Sequence, residues 1–245
     1  MITSVAKRRI DSLLVERGLV ESRARAQALV MAGEVSVEGK AVTKAGTLVA
    51  EEAAITIRQP PPFVSRGGVK LDYALERFQL NVTSNVAADI GASTGGFTDC
   101  LLQHGASRVY AVDVGYGQLD YRLRQEKRVV VMERVNARYP VSLPEKVDLA
   151  TLDLSFISVE KVIPSVVKLL KDSGYLIVLL KPQFEAKRGE VGKGGIIKQP
   201  AVHARVLGRF IAWAVGHGFR LGGLVALPIT GASGNTEFFL LLRLA

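Results

Sequence analysis

The chain has 245 residues, 48% of them hydrophobic, which is enough for one sizeable core or for a core with a small satellite domain. No stretch approaches the roughly 18 apolar residues of a membrane span, Met1 to Gly18 holds no signal-peptide core, and one cysteine (Cys100) with scattered His104, His203 and His217 gives neither a disulfide nor a metal-ligand spacing, so a cytoplasmic protein with no membrane span and no metal is expected. The formal charge of +9 suits a polyanionic partner, because neutralising phosphates releases counterions, although solubility alone accounts for the same excess.

The first predicted element is a helix in "RRIDSLLVERGLV", where Ile10, Leu13, Leu14 and Arg17 recur at helical spacing and Gly18 is the stop. "ESRARAQALVMAGEV" predicts a second helix, N-capped by Ser22 and stopped at Gly33. "EVSVEGKAVT" alternates as a strand pair about a Glu38-Gly39 turn, and "LVAEEAAITIR" closes with another short strand. Basic residues gather here: Lys7, Arg8, Arg9 and Arg17 flank the first helix, Arg23 and Arg25 open the second, and Lys40 and Lys44 follow on the hairpin. The stretch "RIDSLLVERGLVESRARAQALVMAGEVSVEGK" resembles the ribosomal-protein-S4-like RNA-binding domain, in which a helix pair and a hairpin present one basic face to structured RNA. The match rests on Ser22-Arg23, Gly33 and Val35. It makes residues 1–58 a small α+β domain and implies Arg8, Arg9, Arg17, Arg23, Arg25 and Lys40 as RNA contacts, with Arg66 further on. The alternative is a solvated helical face with no partner.

Pro60 to Pro62 cannot sit in a helix interior or a central strand, so residues 59–66 are expected to form a semi-rigid linker. Beyond it, residues 67–245 alternate. "GVKLDYALERF" predicts a helix with Leu71, Ala74, Leu75 and Phe78 on one face. Strands are expected at Val86–Ile90, Val109–Asp113, Val129–Met132, Val147–Asp153 and Tyr175–Leu180, with helical stretches at Thr98–His104 and Val159–Lys171. Such alternation implies a parallel sheet covered on both faces. "FRLGGLVALPITGASGNTEFFLLLRLA" ends the chain as strand, loop, strand, which permits an antiparallel pair. A mostly parallel seven-stranded sheet with an antiparallel last strand is the architecture of the Rossmann-like methyltransferases, and this α/β fold is the expected class.

"DIGASTGGFTDC", Asp89 to Cys100, is a glycine loop between a strand and a helix. A dinucleotide fingerprint needs a middle glycine that is misplaced here, and a P-loop needs a lysine that is absent. S-adenosylmethionine has no phosphate and needs the close backbone approach that glycine allows. On this reading Asp89, Gly91, Ser93, Thr94, Gly95, Gly96 and Phe97 meet the cofactor. Asp113, about twenty residues further on, can accept hydrogen bonds from ribose hydroxyls.

In open parallel sheets ligands gather at the carboxyl ends of strands. Asp153 and Lys181 end apolar strands there, and Glu237 starts an antiparallel strand at the same edge. Lys70 lies in the first turn of the helix after "SRGG", where the helix dipole disfavours a cation, so an anionic partner or substrate is expected. "FVSRGGVKL", "DIGASTGGFTDCLL", "LDLSFIS", "LLKPQFE" and "GNTEFF" closely resemble the TlyA, or hemolysin-A-like, family of ribosomal RNA 2'-O-methyltransferases, and the catalytic half is similar to the FtsJ/RrmJ methyltransferases. The resemblance covers almost the whole chain. It implies S-adenosylmethionine as methyl donor, ribosomal RNA or ribosomal subunits as partner, cytidine ribose as substrate, and Lys70, Asp153, Lys181 and Glu237 as the family's catalytic tetrad. The proline-rich linker departs from the mycobacterial pattern, so no cofactor role transfers to it.

The expected reaction is in-line attack of a ribose 2'-hydroxyl on a sulfonium methyl, with Lys181 as general base, Asp153 and Glu237 orienting both lysines, and Lys70 placing the ribose or its phosphate. Lys181 to Pro200 is glycine- and lysine-rich and is expected to be a mobile loop that orders on RNA. Two other classes compete: a membrane-lytic protein, and a non-catalytic RNA-binding protein that kept a methyltransferase fold. The complete tetrad and intact loop argue against the second.

Overall fold

A computed structural model describes residues 6–58, 61–187, 189–231 and 233–244 and the backbone of Lys193. Gln59 and Pro60 of the expected linker and Arg188 of the expected loop lie outside the described residues. The chain forms two compact units, Met1–Pro61 and Pro62–Ala245.

The N-terminal unit runs β1 (Lys7–Arg9), α1 (Ile10–Glu16), α2 (Arg23–Met31), β2 (Val35–Val37), β3 (Lys40–Val42), β4 (Leu48–Ala50) and β5 (Ile55–Ile57). Ser22 caps α2, its Oγ accepting from the Arg25 amide at 3.3 Å. Glu38 and Gly39 both take positive φ, the backbone of a two-residue turn whose twist matches the strands it joins. β3, β2 and β5 form one antiparallel sheet and β1 pairs with β4. Ile10, Leu13, Leu14, Ala26, Leu29 and Val30 fill the core between the helices and β2. The expected single closing strand is therefore two, split by the turn at Glu51 and Glu52.

The C-terminal unit opens with α3 (Arg66–Phe78), which begins inside the expected linker, then β6 (Val86–Ile90), α4 (Gly96–Gln103), β7 (Arg108–Val112), α5 (Tyr121–Gln125), β8 (Val129–Met132) and β9 (Val147–Leu152). α6 (Ile163–Val166), β10 (Leu170–Leu180), α7 (Pro182–Glu185), α8 (Pro200–Gly216), β11 (Phe219–Ala226) and β12 (Phe238–Leu244) complete it. The seven strands lie in the order β11-β12-β10-β9-β6-β7-β8. All are parallel except at β12, which runs antiparallel to both neighbours. Apolar residues of both sheet faces build two cores, one under α3 and α4 and one under α6 and α8.

Two helices differ from expectation. Val159–Lys171 is broken into a 3-10 turn, α6 and another 3-10 turn, and Lys171 already belongs to β10. Pro164 lacks the amide a long helix needs, and Val162, Ile163, Val166 and Val167 lose side-chain freedom in one. α8 was not anticipated, although Val202, Val206, Phe210 and Ala214 recur every fourth residue on its buried face. Glu190, in the expected mobile loop, pairs with Arg205 and Arg209 of α8. Asn235 holds the same loop through the Ile197 amide at 2.9 Å and the Gly195 carbonyl at 2.8 Å.

Candidate active site

The strand order reverses direction of growth at β6, with β7 on one side and β9 on the other, and a crevice opens where such neighbours diverge. Gly91 leaves β6 with φ +87°, and a Cβ there would stand 2.4 Å from the Asp153 carbonyl. The loop can cross the end of β9 only with glycine at this position. Gly96 has a second reason: its Cβ would meet Ser65 Oγ at 2.2 Å and the Gly68 amide at 2.8 Å. The start of α3 is thereby brought against the start of α4.

Three cavities follow one another along this edge. The first, of about 500 Å³, lies between Gly91, Ser93, Asp113, Val114, Val135 and Asn136. The second, of about 120 Å³, is lined by Ser65, Gly67, Lys70, Thr94, Phe97 and Asp153. The third, of about 430 Å³, holds Lys70, Phe156, Lys181, Gln183, Phe184 and Glu237. Gly91, Ser93 and Asp153 line both the first and second, Lys70 both the second and third, and Ser155 and Phe156 both the first and third. They form one continuous path.

The Asp113 carboxylate is fixed in the first cavity, accepting from the Ser93 amide at 2.8 Å and the Gly115 amide at 2.6 Å. Ser65 is the N-cap residue of α3, yet its hydroxyl makes no cap hydrogen bond. It lines the second cavity without a hydrogen-bond partner among the described residues, beside the positive end of the helix dipole.

The structure brings all four expected catalytic residues to this path and arranges them as two ion pairs. Lys70 Nζ lies 2.6 Å from Glu237 Oε2, with Lys70 9% and Glu237 3% exposed. The anionic partner expected for Lys70 is thus Glu237, and Lys70 sits in the second turn of α3. Lys181 Nζ lies 2.5 Å from Asp153 Oδ1, a contact of charges without hydrogen-bond alignment, and donates to Ser155 Oγ at 3.0 Å. Each carboxylate has its own lysine, a pairing that the sequence left open.

Of the expected cofactor residues, Gly91, Ser93, Thr94, Gly96, Phe97 and Asp113 line the path. Gly95 instead packs under Leu119 and Leu123. Asp89 is not brought to any of the three cavities. It is fully buried, accepting from Thr98 Oγ1 at 2.7 Å and Thr151 Oγ1 at 3.0 Å, and so ties β6 to α4 and β9. Burial pushes its carboxyl up to about 6 against those two hydroxyl hydrogen bonds. A strand alternates its side chains, and this carboxylate falls on the face covered by α4.

The expected RNA contacts are mostly engaged within their own units. Arg8 faces Glu16 and Glu51 at 3.6 and 3.5 Å, Arg9 and Arg23 hold Asp11, and Arg17 donates to the Ala53 and Glu51 carbonyls. Arg25 and Lys40 are exposed and have no ion-pair partner among the described residues. Arg66 donates to the Thr230 carbonyl at 2.9 Å.

Phe156 was missed by the sequence reading. It is 92% exposed, takes φ +65°, and lies 5.2 Å from the Phe184 ring at the third cavity. An exposed aromatic held in a disfavoured backbone conformation makes Phe156 a candidate functional residue. Its only signal in sequence was its place three residues after the strand-end Asp153. The structure also gathers Asp72, Cys100 and His104 within 4.8 Å, the last two one helical turn apart, a spacing overlooked in the sequence. Burial, then the charges of Asp72 and Asp99, push that thiol up, and His104 is already paired with Asp72 at 2.7 Å.

Comparison with known proteins follows the same division. Residues 63–244 match the FtsJ-like methyltransferase family and residues 8–55 the S4 domain. YqxC of Bacillus subtilis is 48% identical, covering 97% of this chain and 86% of its own. TlyA of Mycobacterium tuberculosis, a 16S/23S rRNA (cytidine-2'-O)-methyltransferase, is 44% identical over 96% of this chain and 89% of its own. A solved structure from Streptococcus thermophilus, described as a hemolysin, superposes with a TM-score of 0.74 at 42% identity, over 99% of this chain and 90% of that one.

Proposed function

The chain belongs to the FtsJ-like methyltransferase family, with an S4 domain at its front, and on that premise we propose that it methylates the 2'-hydroxyl of a cytidine ribose in ribosomal RNA with S-adenosylmethionine. The observation that carries this reading is the continuous path from Asp113 to the two lysine–carboxylate pairs. The cytidine is taken from TlyA of Mycobacterium tuberculosis, at 44% identity.

The residues present fit the cofactor. Gly91 and Gly96 let the loop pass close to the end of β9 and to the start of α3, which shapes the first two cavities. Asp113 would accept from ribose hydroxyls, Val114 and Val135 would cover an adenine, and Ser65 with the first amides of α3 would hold a carboxylate. S-adenosylmethionine, when bound, supplies an electrophilic methyl group on a sulfonium centre.

The chain's own groups do the remaining work. Lys181, after its ammonium has released a proton to solvent, takes the proton of the 2'-hydroxyl as the oxygen becomes a nucleophile, and Asp153 and Ser155 hold the ammonium that results. Lys70, held by Glu237, places the ribose or its phosphate. Phe156, with Phe184 beside it, offers a face on which the target base can stack once it has left its helix. No described helix is long and apolar enough to cross a membrane, and nothing in the site favours a lytic reading.

The test is transfer of labelled methyl groups to ribosomal subunits, with the product mapped as 2'-O-methylcytidine. Lys181→Ala is expected to lose at least about 100-fold in turnover, the lower end of a general base's contribution, while its cofactor affinity measured by calorimetry stays unchanged. Near-normal turnover would remove Lys181 from the mechanism.

A further inference from the structure

Asp11 is the one charged side chain of the N-terminal unit that is fully buried among the described residues. It stands under two of the arginines that the RNA reading uses. Arg9 donates Nε to Oδ1 at 3.0 Å and Nη2 to Oδ2 at 2.9 Å, a two-pronged contact. Arg23 donates Nε to Oδ2 at 3.1 Å, and Gln27 Nε2 donates to the same oxygen at 3.0 Å. The Arg9 side chain remains 47% and the Arg23 side chain 56% exposed.

We propose that Asp11 is a positioning residue that locks Arg9 and Arg23 into one rigid two-armed receptor for RNA phosphates. The proposal rests on the reading of the N-terminal unit as an RNA-binding domain. Asp11 engages one edge of each guanidinium and leaves Nη1 of Arg9 and both terminal nitrogens of Arg23 for a ligand. Two positive groups and one negative give the cluster a net charge of one, matched to a single phosphodiester. Arginine carries a rigid donor fork that matches phosphate oxygens, and a fork already held in place loses less freedom on binding.

The proposal has an outcome opposite in sign to plain electrostatics. Removing a negative charge from a surface that binds a polyanion should tighten binding by Coulomb attraction. If Asp11 works by positioning, Asp11→Asn should weaken it, by about 3- to 10-fold for the one or two long side chains set free.

The measurement is filter binding of the full-length protein to radiolabelled ribosomal RNA over a series of KCl concentrations. Glu21→Gln makes the same charge change at an exposed position of the same unit and is expected to bind as tightly as the parent or slightly more so. Amide hydrogen exchange of α1 and α2 reports whether each variant keeps its fold. Should Asp11→Asn fail that check, Arg23→Lys decides, since it keeps the charge and loses the fork. It is expected to weaken binding as much, while Arg58→Lys, at an exposed arginine of the same unit outside the expected RNA contacts, changes little. Asp11→Asn binding as well as Glu21→Gln, or Arg23→Lys binding as well as Arg58→Lys, overturns the role of Asp11. Failure of the parent protein to bind ribosomal RNA removes the RNA reading and the proposal with it.

Discussion

Each unit buries one aspartate completely, and the two are treated in opposite ways. Asp11 of the N-terminal unit is met by Arg9, Arg23 and Gln27, and the Arg9 hydrogen bond, opposed only in part by burial, holds its carboxyl well below the usual range. Asp89 of the C-terminal unit meets only the hydroxyls of Thr98 and Thr151, and burial lifts its carboxyl to about 6. A buried carboxylate can keep its charge if cations reach it from the surface, or give the charge up if they cannot. Asp11 lies one layer beneath solvent, within reach of long side chains. Asp89 lies inside a strand between β9 and α4, where only short side chains fit.

The largest test of this contrast lies in the catalytic unit, where Lys70 and Glu237 are the one buried pair of opposite charges among the described residues. Glu237→Ala strands Lys70, which has no other ion-pair partner among the described residues. It is expected to cost about 3–5 kcal/mol in chemical denaturation, together with turnover. A loss below about 1 kcal/mol would mean that water reaches the lysine.

The next effect separates the units by pH. A raised carboxyl favours the folded state while protonated, so the Asp89 contribution is full below about 4 and is lost as pH rises through about 6, roughly 3 kcal/mol in all. A lowered carboxyl acts the other way: the Asp11 contribution is present above about 4 and is lost as pH falls below it. Amide exchange across pH 3 to 7 should show the two units drifting in opposite directions, and Asp89→Asn should flatten the C-terminal drift alone. Parallel drifts would break the comparison.

The smallest effect contrasts two helix caps. Ser22→Ala removes a cap hydrogen bond and should cost about 1 kcal/mol in the N-terminal unit. Ser65→Ala removes none, so its stability should stay within about 0.5 kcal/mol of the parent, while calorimetry should show weaker binding of S-adenosylmethionine. Equal thermal shifts in the two variants would place Ser65 among ordinary caps.

Much of the site was legible in the sequence because its signals are local. Apolar strands ending in Asp153 and Lys181 announce charged groups at a sheet edge, and a glycine loop after β6 announces close backbone approach. Asp89 and Asp113 show where that stops. Both are carboxylates at or near strand ends beside the same loop, yet one lines the first cavity and the other is sealed beneath α4. Phe156 was illegible for a related reason, since an aromatic after a strand is ordinarily core and only the turned backbone at φ +65° carries it outward.

The sequence by itself determined the alternation of strands and helices, the two-unit division near the prolines, and the set of groups able to do chemistry, because periodicity and residue type are properties of short segments. Tertiary structure alone decided partnership and burial. Lys70 and Glu237 are 167 positions apart and meet within 2.6 Å, and no local pattern tells which carboxylate a lysine will face. That choice depends on how the second turn of α3 meets the segment just before β12, and so on the glycines, the sheet order and the packing that bring distant segments together.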